Sequence, residues 1–439
     1  MEKHHVLLLF LLFSFLLFHL IVAMESEDRT EEWGYVEVRE KAHMFWWHYK
    51  SPHRVEDASK PWPIILWLSG GPGTSGTAFG NFYQVGPRGE NLLSRESTWV
   101  RKADLLFVDS PVGTGFSYVV GELRVARSDE QIAIDLLALL KNLFDTNQAL
   151  QKSPLFIFGE SYAGKTAAIL GLQILKSIEE NKLKLRLGGV ALGCSWISPL
   201  DSVLTWGPLL KDMSWLDDAG LEEANRWASK IQNQLENHNA MDATGTWSAL
   251  QDAILDNSNS VDLHNFLFDH QRRANTQAEN PVDFKKLMNG VVKSRLKIIP
   301  EDVDWGGQQD LIFKALRGDF MNPKIKEVGE LLAKGVNVTI YNGQLDIICS
   351  TKGAESWVKK LIWDGLETFL KTSRVPLYHG NDRETKGFKR SHRHLTFYWI
   401  LRAGHVIPKD QPWITLQMVG EITESPRLDT EKEDMIVLR

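Results

Sequence analysis

Three residues of this chain have the types, order and surroundings to do nucleophilic chemistry together: Ser161, Asp346 and His405. Ser161 sits in "FIFGESYAGKTA" (Phe156–Ala167), where a strand-like apolar run reaches Gly159 and gives way within a few residues to helix formers. A Ser at such a point can be a helix N-cap, satisfying orphan N–H groups. Gly two residues before it and small Ala163 two after it, with Gly164 next, instead spell a nucleophile elbow: a strained strand-to-helix turn that presents the Ser side chain and tolerates only small neighbours. The strict form ends in Gly, where this chain has Ala163.

An elbow serine needs an acid and then a base, in that chain order. "VNVTIYNGQLD" ends in a turn bearing Asp346, and "LTFYWILRAGH" ends in His405. Either residue alone reads as a turn former or an incidental histidine. Their order, each just past a strand end, points to a Ser-His-Asp relay. A fourth stretch, "WLSGGPGTSG" (Trp67–Gly76), follows an early strand, and Gly70 and Gly71 there would let backbone N–H groups approach a developing oxyanion.

The elements that must position these residues are short and continuously apolar: Pro63–Leu68, Ala103–Asp109, Pro154–Gly159, Gly188–Gly193, Val336–Gly343 and Leu395–Gly404. Unbroken apolar runs suit parallel strands covered on both faces. Helical patterns lie between several of them, among them one capped by Ser128 or Asp129 and one running on from the elbow, which predicts a doubly wound, mostly parallel α/β sheet. From about 200 to 300 the pattern turns helical and Trp-bearing with no strong strand run. This predicts a cap inserted between sheet strands and lying over their C-terminal edge. The expected division is a signal peptide over 1–23, core over 24–199, cap over 200–300 and core again over 301–439.

The first residues, "MEKHHVLLLFLLFSFLLFHLIVAMES", have a short head, an apolar run from Val6 to Ala23 and small residues at its end, the form of a secretory signal peptide, with an uncleaved anchor as the alternative. The expectation is a soluble protein of the secretory route, secreted or lysosomal. The chain has 43% hydrophobic and 24% charged residues, which excludes a disordered class, and a net charge of -6 with no dense basic stripe, which excludes nucleic acid as a partner. The cluster Lys386, Lys389, Arg390 and Arg393 reads as a solvated loop. Only Cys194 and Cys349 are present, few for a secreted chain. Both flank strand-like runs, so they are expected as free, packed thiols. No Cys or His spacing fits a metal, and no cofactor is called for. One sequon, Asn337-Val338-Thr339, makes Asn337 a glycosylation candidate, although its place in a strand-like run argues for burial.

Taken together, "WLSGGPG", "VDSPVGTGFSY", "GESYAGK", "YNGQLD" and "AGHVIPKDQP" resemble the serine carboxypeptidases over roughly Trp33 to Val419, and "HMFWWHY" and "LTFYWILRAGH" look most like their retinoid-inducible branch. The resemblance implies an α/β-hydrolase fold and release of a C-terminal residue from a peptide or protein. In it Ser161 is the nucleophile, His405 the base and Asp346 its partner, and Gly71 and Tyr162 give the oxyanion N–H groups. It also implies a substrate-carboxylate site of Glu160, Ser69, Gln84 and Gly70. Two of those positions depart from the family: Ser69 stands where Asn is common, and Gln84 where Glu is usual. Thr74 replaces a common Cys, and Ser110 a common Gln. The departures keep two other readings open, a triad-bearing acyltransferase or esterase and a low-turnover homologue with a binding role. A homodimer is a further assembly the reading admits.

Overall fold

A computed structural model of the chain describes residues 30–55, 60–121, 124–269, 283–380 and 382–425. The expected signal peptide lies outside the described residues. An 11-stranded sheet runs through the molecule in the order β1-β2-β4-β3-β6-β7-β8-β11-β10-β9, with β5 paired to β2. Its strands are β1 (Glu31–Arg39), β2 (Ala42–Tyr49), β3 (Ile64–Leu68), β4 (Asp104–Val108), β5 (Tyr118–Val119), β6 (Pro154–Glu160), β7 (Arg186–Gly193), β8 (Val338–Gly343), β9 (Val375–His379), β10 (Asp382–His392) and β11 (Leu395–Ile400).

The strands β4, β3, β6, β7, β8 and β11 are mutually parallel. They are the six apolar runs read from sequence, and β3, β4, β6 and β8 are buried along their whole length. Two antiparallel flanks were not expected. The hairpin β1–β2 joins at β4, and β10 with β9 joins at β11. In these flanks β1 and β10 are half-exposed and rich in charge, so they lack the apolar run that marks a covered strand. The basic cluster is therefore not a solvated loop. Lys386, Lys389 and Arg390 lie in β10, and Arg393 lies in the turn that leads to β11. Lys386 pairs with Asp382 at 2.7 Å, Lys389 with Glu421 at 2.8 Å and Arg393 with Asp364 at 2.8 Å.

Helix α1 (Asp129–Thr146) is capped by Ser128, whose side chain accepts from the Gln131 amide. Helix α2 (Ala163–Glu179) follows the elbow and packs on β6 and β7. The region after β7 carries α3 (Pro199–Asp212), α4 (Asp218–Glu236) and α5 (Ala240–Asn257), which pack in sequence on one another. Among the described residues no helix is long and apolar enough to cross a membrane.

The register gathers the strand ends. Leu68 stands beside Gly159, Glu160 beside Gly193, Gly193 beside Tyr341, and Gly343 beside Ile400. The chain leaving β3, β6, β7, β8 and β11 thus emerges along one edge, where open parallel sheets place their ligands.

Candidate active site

The elbow is strained as its motif requires. Ser161 has φ 57°, a left-handed conformation that costs a non-glycine residue energy and persists only where the surroundings enforce it. They do: its N–H donates to Gly193 O at 2.9 Å, and its carbonyl accepts from Trp196 N at 2.9 Å and Gly164 N at 3.1 Å. Tyr162, not Ser161, holds the N-cap position of α2, and no side chain caps it, so the capping explanation for Ser161 does not hold. Ser161 is only half-buried among fully buried neighbours. The Tyr162 amide lies in the first turn of α2, where N–H groups have no intrahelical acceptor. The loop after β3 passes so close that a Cβ on Gly70 would lie 2.5 Å from Ser161 Cβ and 2.9 Å from its Oγ, and Gly71 has φ +103°.

Asp346 and His405 meet at the same edge. His405 Nδ1 lies 2.8 Å from Asp346 Oδ2. Asp346 is fully buried, and its Oδ1 accepts from the Cys349 amide at 3.2 Å. Burial alone would lower the His405 pKa. The Asp346 charge and hydrogen bond, with smaller help from Glu160 and Asp262, outweigh it and raise the imidazole above its ordinary value. The His405 backbone is fixed by its N–H to His264 O at 2.7 Å, and the His264 ring meets the imidazole edge-on at 5.2 Å. Leu263 O accepts from the Ile347 amide at 3.0 Å, so the segment after α5 braces both loops.

Three of the four carboxylate-site candidates have polar side chains, and all three are buried: Ser69, Gln84 and Glu160. Gln84 lies in a π-helical segment (Gly76–Val85) and donates Nε2 to Glu160 Oε2 at 2.8 Å. Its Oε1 is buried without a partner among the described residues. Burial raises the Glu160 carboxyl; the His405 charge and the Gln84 hydrogen bond pull the other way, and the net shift is upward. Ser69 Oγ accepts from Trp67 Nε1 at 3.0 Å. Asn337, expected to be buried, is instead exposed just ahead of β8, with Oδ1 3.0 Å from His394 Nδ1.

Sequence reading missed several supporting groups. Asp109, fully buried, accepts from Ser75 Oγ at 2.6 Å, Thr77 Oγ1 at 2.8 Å and the amides of Phe116 and Thr77 at 2.8 and 3.1 Å. It pins the loop after β3 to the turn after β4. Its signal was an acid ending an apolar strand, where water cannot satisfy it. Both cysteines are free and buried as expected, but they border the relay rather than ordinary core. The Cys349 thiol lies beside Ser161, and Cys194 lies behind Asp346.

Behind the elbow, Lys165 is fully buried. Its Nζ lies 2.8 Å from Asp129 Oδ2 and donates to Asp319 O at 2.8 Å, while Phe320 stacks on Tyr162 at 5.8 Å. Burial pushes Asp129 up to about 6 against the pull of Lys165. A carboxyl whose folded pKa exceeds its unfolded value near 3.9 binds more protons when folded, so its contribution falls as pH rises through that window. Lys165→Met removes the pull and widens the window. The expected loss is about 3–5 kcal/mol at pH 8, and less at pH 5, where Asp129 can hold a proton. Chemical denaturation at the two pH values checks this, and equal losses would show that the Asp129 charge is not involved.

Comparison with known proteins agrees with this geometry. The family model described as serine carboxypeptidase matches residues 23–425. Serine carboxypeptidase-like 51 of Arabidopsis thaliana is 53% identical over 433 residues, covering 92% of this chain and 94% of that protein. The retinoid-inducible serine carboxypeptidase of Homo sapiens is 41% identical, with 92% and 94% covered. Among solved structures, Kex1(delta)p, a prohormone-processing carboxypeptidase from Saccharomyces cerevisiae, superposes with a TM-score of 0.78 over 90% of this chain and 91% of that one, at 21% identity, a likeness of fold.

Proposed function

The chain belongs to the serine carboxypeptidase family, with its α/β-hydrolase fold, and we propose that it releases the C-terminal residue of peptides through Ser161, His405 and Asp346. The observation that carries the assignment of residues is the 2.8 Å contact of His405 with buried Asp346 beside the strained Ser161 turn. Ser161 Oγ attacks the carbonyl carbon of the last peptide bond while His405 Nε2 takes its proton. The amides of Gly71 and Tyr162 receive the oxyanion. His405 then protonates the departing amino group, and water, deprotonated by the same imidazole, cleaves the acyl-enzyme.

Glu160, Gln84, Ser69 and Gly70 are assigned to the free carboxylate of the substrate. The residues 200–300 are assigned as a cap, with core on either side at 24–199 and 301–439. Met1–Ala23 is assigned as a signal peptide leading to a secreted or lysosomal destination, and exposed Asn337 as a glycosylation site.

The test is hydrolysis of N-blocked dipeptides against their C-terminal amides and methyl esters, from about pH 4 to 8. Release confined to the free acids supports the assignment. Turnover of esters alone would favour the esterase or acyltransferase reading that Ser69 and Gln84 keep open.

Gln84 carries its own prediction. An amide donates a hydrogen bond at any pH, whereas a second carboxyl beside Glu160 must hold a proton before a substrate carboxylate can bind. Each extra proton required adds a factor of about ten per pH unit above the relevant pKa. The KM of Gln84→Glu is therefore expected to climb more steeply than the wild-type value between pH 5 and 8. Parallel KM profiles would remove Gln84 from the carboxylate site.

A further inference from the structure

Cys194 occupies a position that chemistry alone would give to glycine. It follows the last residue of β7 with φ 40°, in the left-handed region that L side chains enter at a cost of about 1–2 kcal/mol. Its amide donates to Tyr341 O at 2.9 Å, which holds it in that conformation. The side chain kept there is fully buried and touches three parts of the relay at once. Gly343 N, at the end of β8 where the acid loop begins, donates to Sγ at 3.5 Å. Sγ in turn donates to Gly404 O at 3.9 Å, immediately before His405. The sulfur, a carboxylate oxygen of Asp346 and a ring nitrogen of His405 all lie within 4.8 Å of one another.

Building on the triad assignment above, we propose that Cys194 is a positioning residue for the relay: its thiol donates to Gly404 O just ahead of His405, its sulfur accepts from Gly343 N just ahead of Asp346, and the side chain so ties the base loop to the acid loop. The state of the thiol agrees with this role. Burial, and then the Asp346 charge, push its pKa well above the ordinary value, so it stays a donor at every working pH. The tie fixes the spacing at which Asp346 meets the imidazole, 2.8 Å. The long reach of sulfur is part of the argument, since contacts of 3.5 and 3.9 Å suit a thiol better than a hydroxyl.

Removing the thiol should loosen the Asp346–His405 contact, weaken the hold of the carboxylate on the imidazolium and lower the His405 pKa, the direction burial favours. The other ionisable groups that face His405 are Glu160, Asp262 and the neighbouring His264, and none of them is altered by the substitution.

The test compares Cys194→Ala, Cys194→Gly and Cys194→Ser with wild type in kcat, KM, pH profile and thermal stability. The His405 titration is followed separately by NMR of the full chain. Cys194→Ala is expected to lose about fivefold to tenfold in kcat with KM unchanged, and to move the acid limb of kcat/KM and the NMR titration to lower pH. Cys194→Ser, which restores a donor, should recover most of both. Cys194→Gly relieves the backbone strain but should behave as Ala does. If Ala and Gly keep kcat within about twofold and the His405 titration does not move, the thiol is packing and the proposal fails. The NMR titration decides the matter even if no peptide is hydrolysed, so a failure of the carboxypeptidase assignment remains distinguishable.

Discussion

Ser161→Ala lowers kcat for release of a C-terminal residue by about a millionfold, His405→Ala does the same, and the double variant is no slower than either. The non-additivity follows from the geometry. Ser161 Oγ is a weak nucleophile at neutral pH and acts only as its proton leaves, and His405 is the base at the exit of β11 placed to take it. Once either is gone the other contributes nothing to bond making. What remains is binding and the oxyanion amides, which the proposed assignment gives to the backbone of Gly71 and Tyr162. With Glu160, Gln84 and Ser69 proposed to hold the substrate carboxylate and left untouched, KM should change little. Single-turnover kinetics with a blocked dipeptide and labelling by a fluorophosphonate probe read both effects. Losses that add in the double variant would mean that His405 is not the partner of Ser161.

The parts of this protein that were legible in its sequence share one cause. A parallel strand covered on both faces is apolar throughout, so all six central strands stood out, and their ends located Ser161, Asp346 and His405. The strand β1, with "EEWGYVEVR", and β10, with "DRETKGFKRSH", are held by backbone ladders at half-wet flanks, and their side chains record solvent more than sheet. Charge there was read as loop for that reason. The same limit applied within the site. Triad residues announce themselves by order, but Asp109, Lys165 and Cys194 act through contacts with partners such as Ser75, Asp319 and Gly343, far away in the chain. Cys194 was visible as a rare cysteine. Only its left-handed backbone and the sulfur's place behind Asp346 show why its position matters. Asn337 was misjudged because the strand begins later than the apolar run does, which leaves its side chain outside.

Asp346→Asn should cost about ten thousandfold in kcat while leaving the fold intact. The carboxylate accepts two hydrogen bonds, from His405 Nδ1 and from the Cys349 amide. An asparagine must point its oxygen at one of these. If the oxygen takes the Cys349 amide, the NH2 faces His405, and Nδ1 must become an acceptor. The ring proton then moves to Nε2, the atom that should receive the Ser161 proton, and the base is lost. The pH dependence moves with it. His405 works as a base only when neutral, and Asp346 raises its pKa above the usual 6.5 against the effect of burial. The acid limb of the wild-type profile therefore reports an imidazole held above its ordinary value. In the Asp346→Asn variant burial prevails, so the limb moves to lower pH even though the plateau above it is about ten thousandfold down. A merely misfolded variant would lose the plateau without moving the limb. An Asp346→Asn protein that kept about a tenth of the activity would place the supporting charge elsewhere, and Asp262, the other aspartate whose charge reaches His405, would be the residue to change next.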